Sequence, residues 1–244
     1  MAQTLRWPES LKKKADSMES KYSDSQVAKS IFFLFLALSV MFNIVWYIAW
    51  PGLIALAVWY IKTPKPTDKD KVDIKAYRSG YEGELIVARR LAEFPDGWFV
   101  VNDISIYGSQ IDHVVVGPGG IFCLETKNHI DIMCRNGNWF KKKNGSWWTM
   151  NSPSKQNLGH VLSLKEFLYD KFKIRPKIAS IIVLSREEGL KDIDSYIVPP
   201  GNTRIMFPHE LFYRGGRSVM TVKDAEAIAV AIFEANQEGS AKAA

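Results

Sequence analysis

The chain has 244 residues, 47% of them hydrophobic and 24% charged, with a formal net charge of +6 and two cysteines. Nothing in the spacing of Cys123 and Cys134 calls for a disulfide or a zinc site, and the absence of internal repeats excludes a solenoid. The modest positive charge suits nucleic acid or anionic lipid and decides between neither.

Residues 1–30 form a basic N-terminal segment with six basic and four acidic side chains, a net +2. The next 31 residues, Ile31 to Ile61, contain no charged side chain. As one helix this stretch would measure about 46 Å, against about 30 Å of bilayer hydrocarbon, so the sequence predicts an N-terminal transmembrane anchor over 31–61. Trp46, Tyr47, Trp50, Trp59 and Tyr60 sit toward one end, as interfacial aromatics do. A cleaved secretory signal fits poorly, because the apolar run is too long and no small-residue cleavage site follows it.

Basic residues flank the run on both sides, Lys12, Lys13, Lys14, Lys21 and Lys29 before it and Lys62, Lys65, Lys69, Lys71, Lys75 and Arg78 after it, so the positive-inside count nearly ties. Two arrangements stay open: a single tilted span, or a hairpin turning at Pro51-Gly52. Only nine residues separate that turn from the end of the run, too few for a second full crossing. Either way the expectation is a bacterial-type inner membrane with the C-terminal domain in the cytoplasm. Small residues at Ala37, Ser39, Ala49 and Gly52 would permit packing in a membrane complex or a homo-oligomer.

Residues 62–76, with Thr63-Pro64-Lys65-Pro66-Thr67-Asp68, read as a polar linker, followed by a domain over 77–244. Leu85, Ala88, Leu91 and Ala92 recur at helical spacing from Tyr81 to Phe94. Glu84 shares their face, so it either meets a partner or a metal, as a buried carboxylate requires, or caps the first turn.

Asp112-His113-Val114-Val115-Val116, Gly117-Pro118-Gly119-Gly120 and Ile121 to Lys127 read as strand, tight turn, strand. With the turn centred between Pro118 and Gly119, paired residue numbers sum to 237, which sets Asp112 across from Glu125 with Cβ atoms about 5 Å apart. Glu125 and Lys127 alternate onto the same face. Two carboxylates and an amine thus converge, a set suited to a hard divalent cation and to phosphodiester hydrolysis. The plainer reading is a cross-strand ion pair on a solvated sheet face.

Asn138 to Trp148 reads as a hairpin closed by Asn144-Gly145. Lys141, Lys142, Lys143 and Trp147 on it make either a phosphate-and-stacking surface for nucleic acid or a lysine-solubilised hairpin whose tryptophans pack on the core. Gln156 opens a helix from Lys155 to about Lys171, capped by Ser152 or Ser154, with Leu158, Val161, Leu162, Phe167 and Leu168 as its core stripe. His160 lies one turn on and reads as structural. Ile178 to Leu184 has a buried-strand pattern, and Thr221-Val222-Lys223-Asp224 resembles a capping box before a last helix to about Glu234. A frayed tail follows from Gly239. Helices alternating with strands give an α/β sandwich with a mixed sheet.

Gly80-Tyr81-Glu82-Gly83-Glu84, the run from Gly108 to Phe122, Glu125-Thr126-Lys127-Asn128 and Gln156 together resemble the nuclease-related domain, NERD, over about residues 77–190. The resemblance implies a PD-(D/E)XK, restriction-endonuclease-like fold: a mixed central sheet flanked by helices. It implies Mg2+ or Mn2+ held by Asp112 and Glu125 with Glu84 in support. It further implies that Lys127 orients the attacking water or stabilises the developing charge, and that Gln156 lines the site. The leading expectation is a membrane-anchored, metal-dependent nuclease acting on DNA rather than RNA. The alternative is a non-catalytic module of the same fold that binds nucleic acid or a membrane partner, because fold alone does not fix chemistry.

Overall fold

The computed structural model describes residues 1–41, 46–187, 190–193, 195–211 and 218–242. They form two compact units, residues 1–9 with 79–244, and residues 10–78.

The larger unit is built on a seven-stranded mixed sheet in the order β1-β2-β3-β4-β8-β11-β10. Its central strands, β2 (Phe99–Ile106), β3 (Ser109–Gly117), β4 (Gly120–Lys127) and β8 (Ile178–Leu184), are rich in Val and Ile and almost wholly buried. Such runs suit strands covered on both faces. The β3–β4 pairs run from Gly117 with Gly120 to His113 with Leu124, the register expected from the turn. Gly117 is required there because a Cβ would lie 2.3 Å from the Trp98 ring.

One sheet face packs against α4 (Pro153–Phe172) and α5 (Val222–Lys242), through Val114, Val116, Ile121 and Cys123 against Leu164, Leu168, Ile228 and Ile232. The other carries the end of α3 (Asp68–Ala92), with Val87 and Leu91 against Val100, Val115 and Leu124. A second sheet, in the order β7-β6-β5-β9, is formed by β5 (Ile132–Arg135), β6 (Asn138–Lys143), β7 (Ser146–Thr149) and β9 (Leu190–Ile193). Its Ile132, Cys134 and Trp139 join Ile182 and Leu184 in a third core cluster. The remaining strands, β10 (Ile197–Val198) and β11 (Thr203–Met206), extend the main sheet beyond β8.

The N-terminal segment departs from expectation. Gln3–Arg6 is β1, parallel to β2 at the edge of the main sheet. Arg6 pairs with the buried Asp103 carboxylate at 3.2 Å, and Asn102 donates to the Arg6 carbonyl. Four residues separated by some ninety from their partner strand carry no local signal of that pairing.

In the smaller unit, α1 (Ser10–Met41) and α2 (Trp46–Lys62) replace the continuous helix expected over 31–61. Among the described residues, no helix is long and apolar enough to cross a membrane. Pro51 lies inside α2 rather than at a turn, and residues 42–45 between the helices fall outside the described residues. The expected linker is also shorter than 62–76: α3 starts at Asp68, where Thr67 caps it by accepting from the Asp70 amide while its hydroxyl donates to the Asp70 carboxylate. The final helix, capped likewise by Thr221 and Asp224, is described as far as Lys242, through part of the expected tail.

Candidate functional site

The end of the β3–β4 hairpin brings the expected residues together. The β3–β4 ladder ends at His113 with Leu124, one step short of Asp112 and Glu125. Asp112 uses one carboxylate oxygen to accept the Thr126 amide at 2.7 Å, tying the two strands where the ladder ends. Glu125 is buried at 2% exposure, and Lys127, on the same strand face, donates to its Oε1 at 2.6 Å. The same ammonium donates to Oε1 of Gln156 from the first turn of α4 at 3.2 Å. Asp112, Glu125, Lys127 and Gln156 therefore gather at one end of the hairpin.

Glu84 arrives from α3. Gly83 allows it: a Cβ there would lie 2.6 Å from Cβ of Asn128, directly after the Glu-Thr-Lys run. Asn128 fastens the junction by donating to the Ser79 carbonyl at 2.5 Å and accepting from Ser185 and Arg186 at 2.8 Å each. Helix, β4 and the end of β8 are thus pinned at one point, and the buried Glu84 carboxylate lies within electrostatic reach of Asp112. The Gly-Tyr-Glu-Gly-Glu run is legible as packing: the glycine admits the strand end, and the next residue supplies the charge.

The carboxylates do not behave alike. Burial, then the charges of Glu125 and Glu84, push Asp112 well above the ordinary carboxylate range. Burial pushes Glu125 up too, but a contact with His160 and the charge and hydrogen bond of Lys127 outweigh it and leave Glu125 below its ordinary value. The two nearby acids are thus shifted in opposite directions.

His160 is the residue that the sequence reading set aside. It sits on the buried face of α4, with Nδ1 3.2 Å from Oε2 of Glu125. The two atoms are at ion-pair distance but off the line of a good hydrogen bond, so both remain buried without a well-aligned partner. The signal was its position four residues after Gln156 and three after Asn157. Leu162, by contrast, was expected in the core stripe and is 56% exposed. The helix is rotated by Asn157, whose amide donates to the Cys123 carbonyl, the Ser180 hydroxyl and the Ile181 carbonyl, and this turns His160 and Leu164 inward.

Among the described residues, no group of three or more His, Cys, Asp or Glu side chains is assembled closely enough to hold a metal ion. Asp112 and Glu125 nonetheless fit a hard divalent cation. Their donors are oxygens, Oε2 of Glu125 is buried without a hydrogen bond, and Asp112 is held in a negative field that a cation would relieve. Two carboxylates with water and phosphate completing the shell is a common arrangement for Mg2+.

The β6–β7 hairpin turns at Asn144 and Gly145, both at positive φ, as an Asn-Gly turn requires. Lys142 pairs with Trp147 and Lys141 with Trp148 across the ladder. Lys141, Lys142, Lys143, Trp147 and Trp148 are all exposed, whereas Trp139 is fully buried. The tryptophans therefore divide: one anchors the hairpin in the core and two remain on the surface beside the lysines. Burial, then the charges of Lys127 and Lys141, lower the pKa of His129, two residues past Lys127. Cys123 and Cys134 are buried thiols and form no disulfide among the described residues.

Residues 79–185 match the nuclease-related domain, NERD. That span holds Glu84, Asp112, Glu125, Lys127, Gln156 and His160, so every side chain of the site lies within the NERD match. The chain is also similar to an uncharacterized protein of Bacillus anthracis, at 28% identity over 99 residues, covering 35% of this chain and 45% of that protein. The chain thus aligns with less than half the length of this curated relative. No solved structure matches.

Proposed function

We propose that this protein is a metal-dependent nuclease that hydrolyses phosphodiester bonds in nucleic acid, with DNA as the substrate. The observation that carries the reading is the convergence of Asp112, Glu125, Lys127 and Gln156 at the end of the β3–β4 hairpin inside the NERD region. Two carboxylates pressed together raise each other's charging cost, and a binding surface for an anionic polymer gains nothing from them. Asp112 and Glu125, with Glu84 reinforcing the field, would hold a Mg2+ or Mn2+ ion, which would supply Lewis-acid charge for phosphodiester hydrolysis. Lys127, steadied by Gln156, orients the attacking water or meets the developing negative charge with its ammonium group. Lys141, Lys142 and Lys143 neutralise backbone phosphates, and Trp147 stacks on an unpaired base. The apolar stretch over 31–61 holds the enzyme at the bacterial inner membrane with the NERD domain in the cytoplasm, where its substrate is.

The exposed lysine and tryptophan hairpin also favours a second reading, a nucleic-acid-binding module of the same fold without catalysis. Cleavage of labelled single- and double-stranded DNA and RNA by the full chain in detergent separates the two. The full chain is needed because residues 62–244 alone would lack β1. The nuclease reading expects Mg2+- or Mn2+-dependent cutting that is lost with chelator, in Asp112→Ala and in Lys127→Ala. Nucleic-acid affinity without cutting, unchanged in both variants, would establish the binding module instead.

A further inference from the structure

β1 and β2 are parallel neighbours, and parallel neighbours need a crossover that carries the chain back to the same end of the sheet. That crossover is the whole of α1, α2 and α3. Residues 1–9 and 79–244 belong to one folded unit. Whatever lies between them must leave that unit and return to it, so the apolar stretch begins and ends on the same side of any membrane.

The two arms of that stretch pack on each other. The Phe32 and Tyr60 rings stack 6.3 Å apart with 14° between their planes, and Phe35 lies 3.3 Å from where a Cβ on Gly52 would be. Ile31, Phe33, Leu34, Ile54, Val58 and Ile61 face outward and are exposed. Below them the unit turns polar: Arg78 pairs with Glu19 at 2.5 Å and with Asp16 at 3.4 Å, and Lys14 lies over the Tyr77 ring.

We infer that α1 and α2 form a re-entrant hairpin inserted into the cytoplasmic leaflet of an anionic bilayer, with both flanks in the cytoplasm. The inference rests on the membrane attachment proposed above and sets its mode. The uncharged part of α1, Ile31 to Met41, reaches about 16 Å, and that of α2, Trp46 to Ile61, about 24 Å at the usual rise. Both fall short of the roughly 30 Å of a full hydrocarbon core. Lys29, Lys62 and Lys65 ring the neck, where anionic headgroups attract them. Lys65 stands 4.1 Å over the Tyr60 ring, with Trp59 beside it, as side chains at an interface do. Lipid tails are the occupant that this surface fits, because its two ends carry positive charge and its middle carries none.

Thiol accessibility in cells expressing the full chain tests the inference. Lys12→Cys and Lys69→Cys place an exposed thiol on each flank, and the native Cys123 and Cys134 are buried and stay silent. With a membrane-impermeant maleimide, both thiols should label in inverted inner-membrane vesicles and neither in spheroplasts, with the protein resisting carbonate extraction. Labelling of either thiol in spheroplasts would establish a crossing and overturn the hairpin. Release of the protein by carbonate, or failure to float with phosphatidylcholine–phosphatidylglycerol vesicles, would remove the bilayer as occupant. Labelling and extraction are read without any cleavage assay, so an inactive nuclease leaves the outcome intact.

Discussion

Nδ1 of His160 stands 3.2 Å from Oε2 of Glu125, so the carboxylate that faces Lys127 through one oxygen faces an imidazole through the other. This pairing keeps Glu125 charged in spite of its burial. Replacing His160 by Ala removes one of the two groups that hold Glu125 below its ordinary value. Groups that orient a metal ligand typically account for 10–100-fold in metal affinity or activity. His160→Ala should therefore need roughly 10–100-fold more Mg2+ for half-maximal cleavage, with nucleic-acid affinity unchanged. A Mg2+ titration of cleavage rate checks this, and an unaltered midpoint would make His160 a packing residue only.

Asp112→Asn should stabilise the metal-free protein at neutral pH. The folded state raises this carboxyl above its unfolded value, so below the unfolded value both states hold the proton and nothing is lost. As pH climbs from the unfolded value to the raised folded one, the unfolded chain sheds a proton that the folded one still holds, and stability falls across that window. The amide keeps an oxygen to accept the Thr126 amide and carries no charge toward Glu125 and Glu84. Thermal denaturation in chelator should show a higher midpoint for the variant at pH 8, by about 2–4 °C for each kcal/mol relieved, and a vanishing difference near pH 4. Added Mg2+ should reverse the order by stabilising the native protein alone.

The hairpin that carries Asp112 and Glu125 is legible in the sequence, for a physical reason. A tight hairpin fixes its own register, so Gly117-Pro118-Gly119-Gly120 places the pairs from Gly117 with Gly120 to His113 with Leu124. Local capping likewise announced α4 at Ser152 and α5 at Thr221. What escaped depends on distant partners. The orientation of α4 follows from Asn157 bonding to β4 and β8, and only that rotation reveals His160. The pairing of β1 with β2 spans some ninety residues and left no periodic trace. The uncharged run over 31–61 left a single span and a hairpin both open, because composition reports hydrophobicity and not whether two arms pack on each other.

His113 makes a separate pH prediction. It is fully buried, with Nδ1 2.7 Å from Oδ1 of Asn102 and Nε2 3.0 Å from the Thr126 hydroxyl, and burial lowers its pKa to about 3. The neutral ring satisfies both neighbours by donating from Nδ1 and accepting at Nε2. Above pH 6.5 neither state is protonated and the full stability is present. Below it the unfolded chain takes a proton that the folded one refuses until about pH 3, so stability falls across that window by up to about 1.4 kcal/mol per pH unit. Chemical denaturation at pH 7, 6 and 5 should show this slope, and His113→Gln should flatten it while lowering stability at pH 7.

The lysine hairpin should reveal itself in salt dependence. If Lys141, Lys142 and Lys143 each neutralise one phosphate, replacing all three by Gln should reduce the slope of log affinity against log salt by about 2 to 3. The charge change lies on an exposed ladder edge and should leave folding intact. Trp147→Ala should act differently, weakening single-stranded substrates by about 1–3 kcal/mol with no change in salt slope. Fluorescence anisotropy in chelator separates the two effects, and equal losses on duplex and single strand for Trp147→Ala would exclude base stacking.

Arg6→Ala tests whether the N-terminal strand belongs to the main sheet in solution. The Asp103 carboxylate that Arg6 meets is 2% exposed, accepts from Gln110 at 2.7 Å and sits at a positive φ beside the fully buried Asn102. Arg6 itself is 28% exposed, which screens the pair, so the loss should lie near the lower end of the roughly 3–5 kcal/mol that breaking a buried pair costs. Asp103→Asn in the same background should recover part of it by removing the charge left behind. A denaturation midpoint unmoved by Arg6→Ala would mean that β1 does not hold to the sheet edge. The two ends of the apolar segment would then no longer be tied to one side of the membrane, so this single measurement also bears on the topology of the hairpin.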